Sequence, residues 1–138
     1  MLWNGGAEEK AFDTITIENH EGASGMVRHL VTRGHTRIAM IGGPERNYDA
    51  AERLRGYQSA LAEGGIAQDP ALVLKGDFSE LSGHRAARAM LALDLRPTAI
   101  FAANDSMAIG ALSALRENGL RVPEAIAVAG FHDLPLAR

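Results

Sequence analysis

Four short apolar runs divide the chain, and each of them ends in a group of small and polar residues. The runs are residues 38–41, 72–74, 99–102 and 126–129, and the groups that follow them are residues 42–44, 75–78, 104–106 and 130–133. The runs have the length of buried β-strands, and stretches with helical periodicity lie between them. This alternation predicts parallel strands whose carboxyl ends share one edge of a sheet, which is where α/β folds bind ligands.

The stretches between the runs have apolar residues at the three-and-four spacing of an amphipathic helix. The predicted buried positions are Ala23, Met26, Val27, Leu30, Val31, Ala51, Leu54, Tyr57, Leu61, Ala86, Ala87, Met90, Leu91, Met107, Ala108, Ala111, Leu112 and Leu115. The predicted helix N-caps are Asn19, Asn104 and either Ser79 or Ser82. The strands are apolar at nearly every position, as in a parallel sheet that is covered on both faces. The predicted fold class is therefore α/β, a doubly wound parallel sheet in a Rossmann-like three-layer arrangement.

The two ends of the chain do not fit this pattern. Residues 1–4 and 14–18 are predicted to be extended, and no helix is predicted within residues 1–18. At the other end, residues 131–138 leave the last strand without a helix to cover it. A doubly wound domain that is cut in this way exposes apolar surface. We therefore expect a truncated domain from a longer protein, which either self-associates or needs a partner.

Composition narrows the functions that this chain can have. The 138 residues carry a formal net charge of -3 and no cysteine. The acidic balance disfavours binding of nucleic acid by this segment, and the absence of cysteine excludes disulfides and thiolate chemistry. No apolar run approaches the roughly 20 residues of a membrane helix, and the first residues lack a secretion signal. These features predict a soluble cytoplasmic domain without a membrane partner.

The residue patterns of common catalytic and cofactor sites are missing from the sequence. The histidines do not have a metal-ligand spacing. Residues 42–44 follow a strand but lack the glycine order of a dinucleotide site and the lysine of a phosphate loop. Residues 22–25 do not form a nucleophile elbow. No nucleophile has a base beside it, so we predict no catalytic residue, no metal and no cofactor.

An ordered set of motifs runs through residues 17–23, 29–30, 33–39, 42–44, 53–57, 76–78, 97–105, 119–124 and 130–133. This set resembles the lactose-repressor (LacI/GalR) family of transcription regulators. The resemblance implies an effector domain like a periplasmic binding protein, with two lobes and the ligand between them. Residues 1–18 would be the end of the N-terminal lobe and a crossover segment, and residues 19–138 an incomplete C-terminal lobe. The family's helix-turn-helix would lie outside this chain.

The resemblance also implies ligand-binding roles for individual residues, and each has a structural alternative. Arg53 would hold effector hydroxyls or carboxylates with its planar guanidinium, or it is a solvated helix residue. Phe78 would stack on a sugar ring or base, or it packs in the core. Asn104 would bind effector, although helix capping explains it as well. Asp49 lies one turn before Arg53 and either lines the site or compensates the helix dipole.

His132 departs from the family pattern, in which an aspartate accepts hydrogen bonds from the ligand at this position. A neutral histidine offers one donor and one acceptor, and a charged histidine offers two donors. The resemblance implies that His132 contacts the effector. The change to histidine favours either an anionic effector or a different pattern of hydroxyl groups.

The predicted partners are a small effector, a second copy of the chain and, through the absent domain, operator DNA. The effector would be a sugar or a related polar metabolite. The resemblance implies a homodimer through the helix at residues 104–118. Its small residues Ala108, Ala111 and Ala114 would allow close approach of a second copy, although core packing explains some of them as well. One alternative is a periplasmic sugar-binding protein of a transporter, which shares the fold. Another is a doubly wound enzyme, which would need a catalytic pair that the sequence does not show.

Overall fold

The structure is a computed structural model, which describes the backbone of residues 5–131 and the side chains of residues 18–131. The helices and strands alternate along the chain. They are α1 (Gly5–Thr32), β1 (Ile38–Gly42), α2 (Tyr48–Glu63), β2 (Val73–Lys75), α3 (Glu80–Leu91), β3 (Ala99–Ala102), α4 (Asp105–Glu117) and β4 (Ala127–Gly130). A short 3-10 turn, Pro70–Leu72, leads into β2. The predicted α/β class is confirmed by this order.

The strands form one parallel sheet in the order β2-β1-β3-β4. In the centre of the sheet, Met40 of β1 pairs with Val73 of β2 and with Phe101 of β3. The four residues of β3 are completely buried, and so are Ile38 to Ile41 of β1. Right-handed crossovers place α2 on one face of this sheet and α3 and α4 on the other. Helix α1 packs on α2, so two helix pairs cover the sheet.

Two of the three predicted helix N-caps, at Asn104 and Ser79, are found in the structure. The side chain of Asn104 accepts a hydrogen bond from the backbone amide of Met107, and that of Ser79 accepts one from Ser82. The hydroxyl of Ser82 instead accepts a hydrogen bond from the amide of Asp77. Each cap satisfies an amide at the start of a helix, and each of these helices begins beside the carboxyl edge of the sheet.

The predictions that Asn19 caps a helix and that residues 14–18 are extended are both wrong. Helix α1 begins at Gly5 and runs without interruption through residues 14–18 and Asn19. The β-branched residues at 14–17 favoured an extended segment, but β-propensity is a weak preference that its surroundings override. Residues 1–4 and 132–138, which include the other predicted extended piece and the end of the chain, lie outside the described residues.

The small residues of α4 face the interior of the domain. Ala108 is 8% exposed, and Ala111 and Ala114 are completely buried. A Cβ on Gly83 of α3 would overlap with the carbonyl of Met107, and one on Gly110 of α4 would overlap with the carbonyl of Glu80. The close approach that the alanines allow is therefore between α4 and α3 of one chain. Of the two interpretations of these alanines, packing within the domain is the one that the structure shows.

Candidate functional site

Four of the five predicted site residues line one cleft at the carboxyl edge of the sheet. Asp49, Arg53, Phe78 and Asn104 surround a volume of about 250 Å³. Asp49 and Arg53 lie on the first turns of α2, Phe78 lies in the loop after β2, and Asn104 caps α4. Three separate segments converge because parallel strands bring their carboxyl ends to the same edge. The fifth residue, His132, lies outside the described residues.

Arg53 is a buried cation that several elements of the domain hold in place. Its side chain is 5% exposed, its Nη1 donates to the carbonyl oxygen of Ala103 at 2.8 Å, and its Nε donates to Oδ1 of Asn19 at 3.0 Å. The guanidinium carbon lies 4.1 Å from the centre of the Phe131 ring. Such a desolvated cation over an aromatic face is stabilised electrostatically by about 2 kcal/mol. The solvated alternative for Arg53 therefore does not hold.

Asn19 is a buried polar residue beside the cleft, and the sequence predicted it only as a helix cap. Its side chain is 4% exposed, and its Nδ2 donates to Oδ1 of Asp49 at 2.9 Å. One amide group thus contacts both charged side chains of the cleft. The partners are 30 and 34 residues away in the sequence, so no local pattern could have revealed them.

Phe78 has a strained backbone and packs against a glycine. Its φ angle is 75°, a left-handed value that costs an ordinary residue about 1–2 kcal/mol. A Cβ on Gly43 would lie 2.5 Å from the Phe78 ring, so the absence of a side chain at Gly43 makes room for it. The ring is half-buried, and it both packs on the end of β1 and lines the cleft. Both interpretations of Phe78 are therefore compatible with its position.

The loop before Phe78 is held by hydrogen bonds to the start of α3. Oδ1 of Asp77 accepts from the backbone amide of Ser79 at 3.0 Å. Hydrogen bonds from the Ser79 side chain and amide lower the pKa of Asp77 below its ordinary value. Asp77 is thus ionised at neutral pH and fixes the turn that presents Phe78.

Asn104 caps its helix and lines the cleft at the same time. Its Oδ1 accepts from the amide of Met107 at 2.9 Å, and its Nδ2 donates to the carbonyl oxygen of Phe78 at 3.0 Å. The side-chain amide has a second proton and a second lone pair, which a ligand in the cleft can use. Its capping role and a ligand-binding role do not compete.

Helix α2 carries a second arginine, Arg55, which does not line the cleft. It points away from the cleft, is 66% exposed and donates from Nη1 to Oε2 of Glu52 at 2.6 Å, as expected for a surface residue. Among the side chains of residues 18–131, no group of three metal-binding residues is found. In the described part of the chain, no helix is long and apolar enough to cross a bilayer.

A doubly wound parallel sheet with a polar cleft at the carboxyl edge of its strands is the arrangement in which α/β folds bind small ligands. Residues 27–138 match the periplasmic binding protein-like domain, and the chain belongs to this family. It is 39% identical to the HTH-type transcriptional repressor CytR of Escherichia coli (strain K12) over 138 residues, which are 100% of this chain and 40% of that repressor. The chain thus spans less than half the length of the curated repressors that it matches.

Solved structures give the same assignment. A sugar-binding transcriptional regulator of the LacI family from Escherichia coli, complexed with phosphate, superimposes with a TM-score of 0.81 and 37% identity over 87% of this chain and 43% of that chain. The regulator CelR in complex with cellobiose has a TM-score of 0.79 and 42% identity over 82% of this chain and 35% of that chain. The resemblance to the LacI family is confirmed, and a transport receptor is not favoured.

Proposed function

We propose that this chain is the C-terminal lobe of the effector domain of a LacI-type bacterial transcription regulator. The convergence of Asp49, Arg53, Phe78 and Asn104 in one cleft is the observation that carries this proposal. The cleft lies at the carboxyl edge of the sheet, and in the parent protein a second lobe would close over a ligand bound there. The parent protein would act in the cytoplasm, and no residue of this lobe is given a catalytic role.

The cleft suits a small polar ligand with hydroxyl groups. Asp49 supplies acceptors, Arg53 supplies donors, Asn104 supplies both, and the flat ring of Phe78 suits the face of a sugar ring or a base. Oδ1 of Asp49 already accepts a hydrogen bond from Nδ2 of Asn19. Oδ2 of Asp49 has no hydrogen-bond partner among residues 18–131, so it can accept one from a ligand. One similar structure is a complex with cellobiose, which supports a sugar-like ligand here. His132 stays a predicted ligand contact.

The regulation follows from the way in which a two-lobed domain responds to its ligand. A ligand between the lobes stabilises one relative orientation of them, because it contacts both lobes only in that orientation. The change would bias a dimer between states that can and cannot bind operator DNA. DNA would be contacted by the helix-turn-helix of the parent protein, since the net charge of this chain is -3.

The surface for the homodimer is the outer side of α3 and α4 rather than the alanine face. Leu81 is 57% exposed and Ile109 is 51% exposed, and both are large apolar side chains. Each lies next to a residue of the α3–α4 contact, since Leu81 follows Glu80 and Ile109 precedes Gly110. Burial of such side chains against a second copy removes about 25 cal/mol of unfavourable hydration per Å².

The proposal is tested by titrating the isotope-labelled chain with cellobiose and following its backbone amide signals by NMR. This measurement detects the millimolar affinity expected of one lobe acting alone. We expect shifts at Asp49, Arg53 and Asn104, and their loss in Arg53→Gln. Arg55→Gln is the matched control, because Arg55 lies two residues away and faces solvent.

The outcomes are separated by a wider set of probes and by the folding of the variants. If a nucleoside or inorganic phosphate shifts these signals and cellobiose does not, the proposed site is supported, but its ligand is not a sugar like cellobiose. Shifts confined to other surfaces, or equal losses in Arg53→Gln and Arg55→Gln, would contradict the proposed site. A thermal melt of each variant shows whether it is folded during the titration.

A further inference from the structure

Asn19 has a buried side-chain amide that makes hydrogen bonds to both Asp49 and Arg53. Among the side chains of residues 18–131, it is the only one with hydrogen bonds to both of these residues. It lies on α1, whereas both of its partners lie on α2. Nε of Arg53 is only a donor, and an ionised carboxylate such as Asp49 is only an acceptor. The two ends of the Asn19 amide therefore match its two partners in one orientation only.

We propose that Asn19 is a positioning residue of the effector cleft, which fixes the relative orientation of Asp49 and Arg53 through the two ends of its amide. The inference rests on the proposed function, because it concerns the same cleft. Asn19 itself does not line the cleft and acts through its two partners. A ligand that contacts both charged side chains is bound tightly only if their spacing is held before it arrives.

The backbone around Asn19 supports this role, because it is anchored to α2 within one turn. A Cβ on Gly56 would overlap with the carbonyl oxygen of His20 and would lie 2.9 Å from the Cβ of Ala23. The hydroxyl of Ser24 donates to the carbonyl oxygen of Gly56 at 3.2 Å. The two helices thus touch directly beside Asn19, which limits how far its amide can move.

The side chain of Asn19 uses both ends of its amide, and substitutions can remove these two functions separately or together. Asn19→Asp keeps the shape and the acceptor for Arg53, but it removes the donor to Asp49 and places two carboxylates in contact. Asn19→Leu keeps most of the volume and removes both hydrogen bonds. The double variant Asn19→Asp/Asp49→Asn restores the hydrogen bond with donor and acceptor exchanged, and it keeps the charge of the cleft.

The first readout needs no ligand and follows the Nε–H signal of Arg53 by NMR, assigned by its loss in Arg53→Gln. We expect a slowly exchanging signal in the wild-type chain, in Asn19→Asp and in the double variant, and its loss in Asn19→Leu. Asn118→Asp is the matched control, because Asn118 is exposed and its Nδ2 bonds only the carbonyl oxygen of Ala114. An unchanged Arg53 signal in Asn19→Leu would overturn the proposal.

The second readout is a double-mutant cycle on the binding of cellobiose and on unfolding. We expect Asn19→Asp to weaken binding about tenfold in the wild-type background and to have little effect in the Asp49→Asn background. Equal losses in both backgrounds would show that Asn19 acts independently of Asp49, which overturns the proposal. If the wild-type chain does not bind cellobiose, the sugar assignment fails, whereas the Arg53 signal and the unfolding cycle still decide the role of Asn19.

Discussion

Helices α1 and α2 meet at Gly56, and helices α3 and α4 meet at Gly83 and Gly110. In both pairs the backbones are so close that an added Cβ would overlap with a carbonyl oxygen of the partner helix. The pairs differ in the residues beside the contact. The first pair buries Asn19 and Arg53 there, whereas the second pair buries only small and apolar residues such as Ala111.

The polar contacts beside the cleft thus lie in the first helix pair, and tight apolar packing lies in the second. Buried polar groups are costly unless all of their hydrogen bonds are made, and the side-chain nitrogens and oxygens buried in the described residues all have partners. The polar contacts of the first pair hold the cleft in shape. The second pair is linked to the cleft by the Asn104 cap and by the hydrogen bonds of Ser79 and Ser82 to Asp77, and its contact is otherwise built from small and apolar residues.

The largest expected effect comes from adding one methyl group to the second pair. Gly110→Ala places a Cβ against the carbonyl of Glu80 and 2.8 Å from the amide nitrogen of His84. We expect the free energy of unfolding to fall by about 2–3 kcal/mol, measured by denaturant unfolding, because overpacking forces the helices apart.

The matched control for Gly110→Ala is a glycine in the first pair. Gly25 also lies inside a helix, but a Cβ there would meet nothing within 4 Å. Gly25→Ala is expected to stabilise the chain by up to about 1 kcal/mol, because alanine is the better helix former. If both substitutions stabilise the chain, the helices of the second pair are not in direct backbone contact.

The two pairs also show how far the sequence predicts the structure. The central strands could be predicted because residues 38–41 and 99–102 are continuous apolar runs, and the caps at Ser79 and Asn104 depend only on neighbouring residues. The role of Asn19 could not be predicted, since its partners are 30 and 34 residues away. The same holds for the buried face of α4, because periodicity shows which residues are apolar but not which helix they contact.

The cleft was predictable to a similar extent. The motif resemblance and the rule for carboxyl edges placed Asp49, Arg53, Phe78 and Asn104 in one region, and the structure brings them into one cleft. The ring of Phe131 over Arg53 was not predicted, although Phe131 follows a strand at the same edge. A cation–π contact depends on side-chain orientation, which the spacing of residues does not determine.

The next effect concerns the outer side of the second pair. Ile109→Glu places a charge on the proposed dimer surface, and we expect the mass in solution, measured by light scattering, to fall from that of a dimer to that of a monomer. Leu95→Glu is the control, because Leu95 is 63% exposed but lies in the loop before β3. Dissociation by Leu95→Glu alone would place the dimer contact elsewhere.

The smallest effect at neutral pH concerns a polar contact of the first pair. The hydroxyl of Tyr57 on α2 donates to the carbonyl oxygen of Ile38 at 2.7 Å, and its side chain is 1% exposed. Tyr57→Phe removes this hydrogen bond, and we expect a loss of about 1 kcal/mol in the free energy of unfolding at pH 7.

The order of the wild-type chain and Tyr57→Phe should reverse at high pH. Burial, and to a smaller extent the charge of Asp69, raises the pKa of Tyr57 from 10.0 to about 12. The neutral phenol is thus favoured in the folded state, so its contribution is complete below pH 10 and is lost as the pH rises toward 12. This loss amounts to roughly 1.4 kcal/mol per pH unit, which exceeds the hydrogen bond near pH 11. Denaturant unfolding of both chains from pH 7 to 12 measures the crossing, and parallel curves would show that the pKa of Tyr57 is the same in the folded and the unfolded chain.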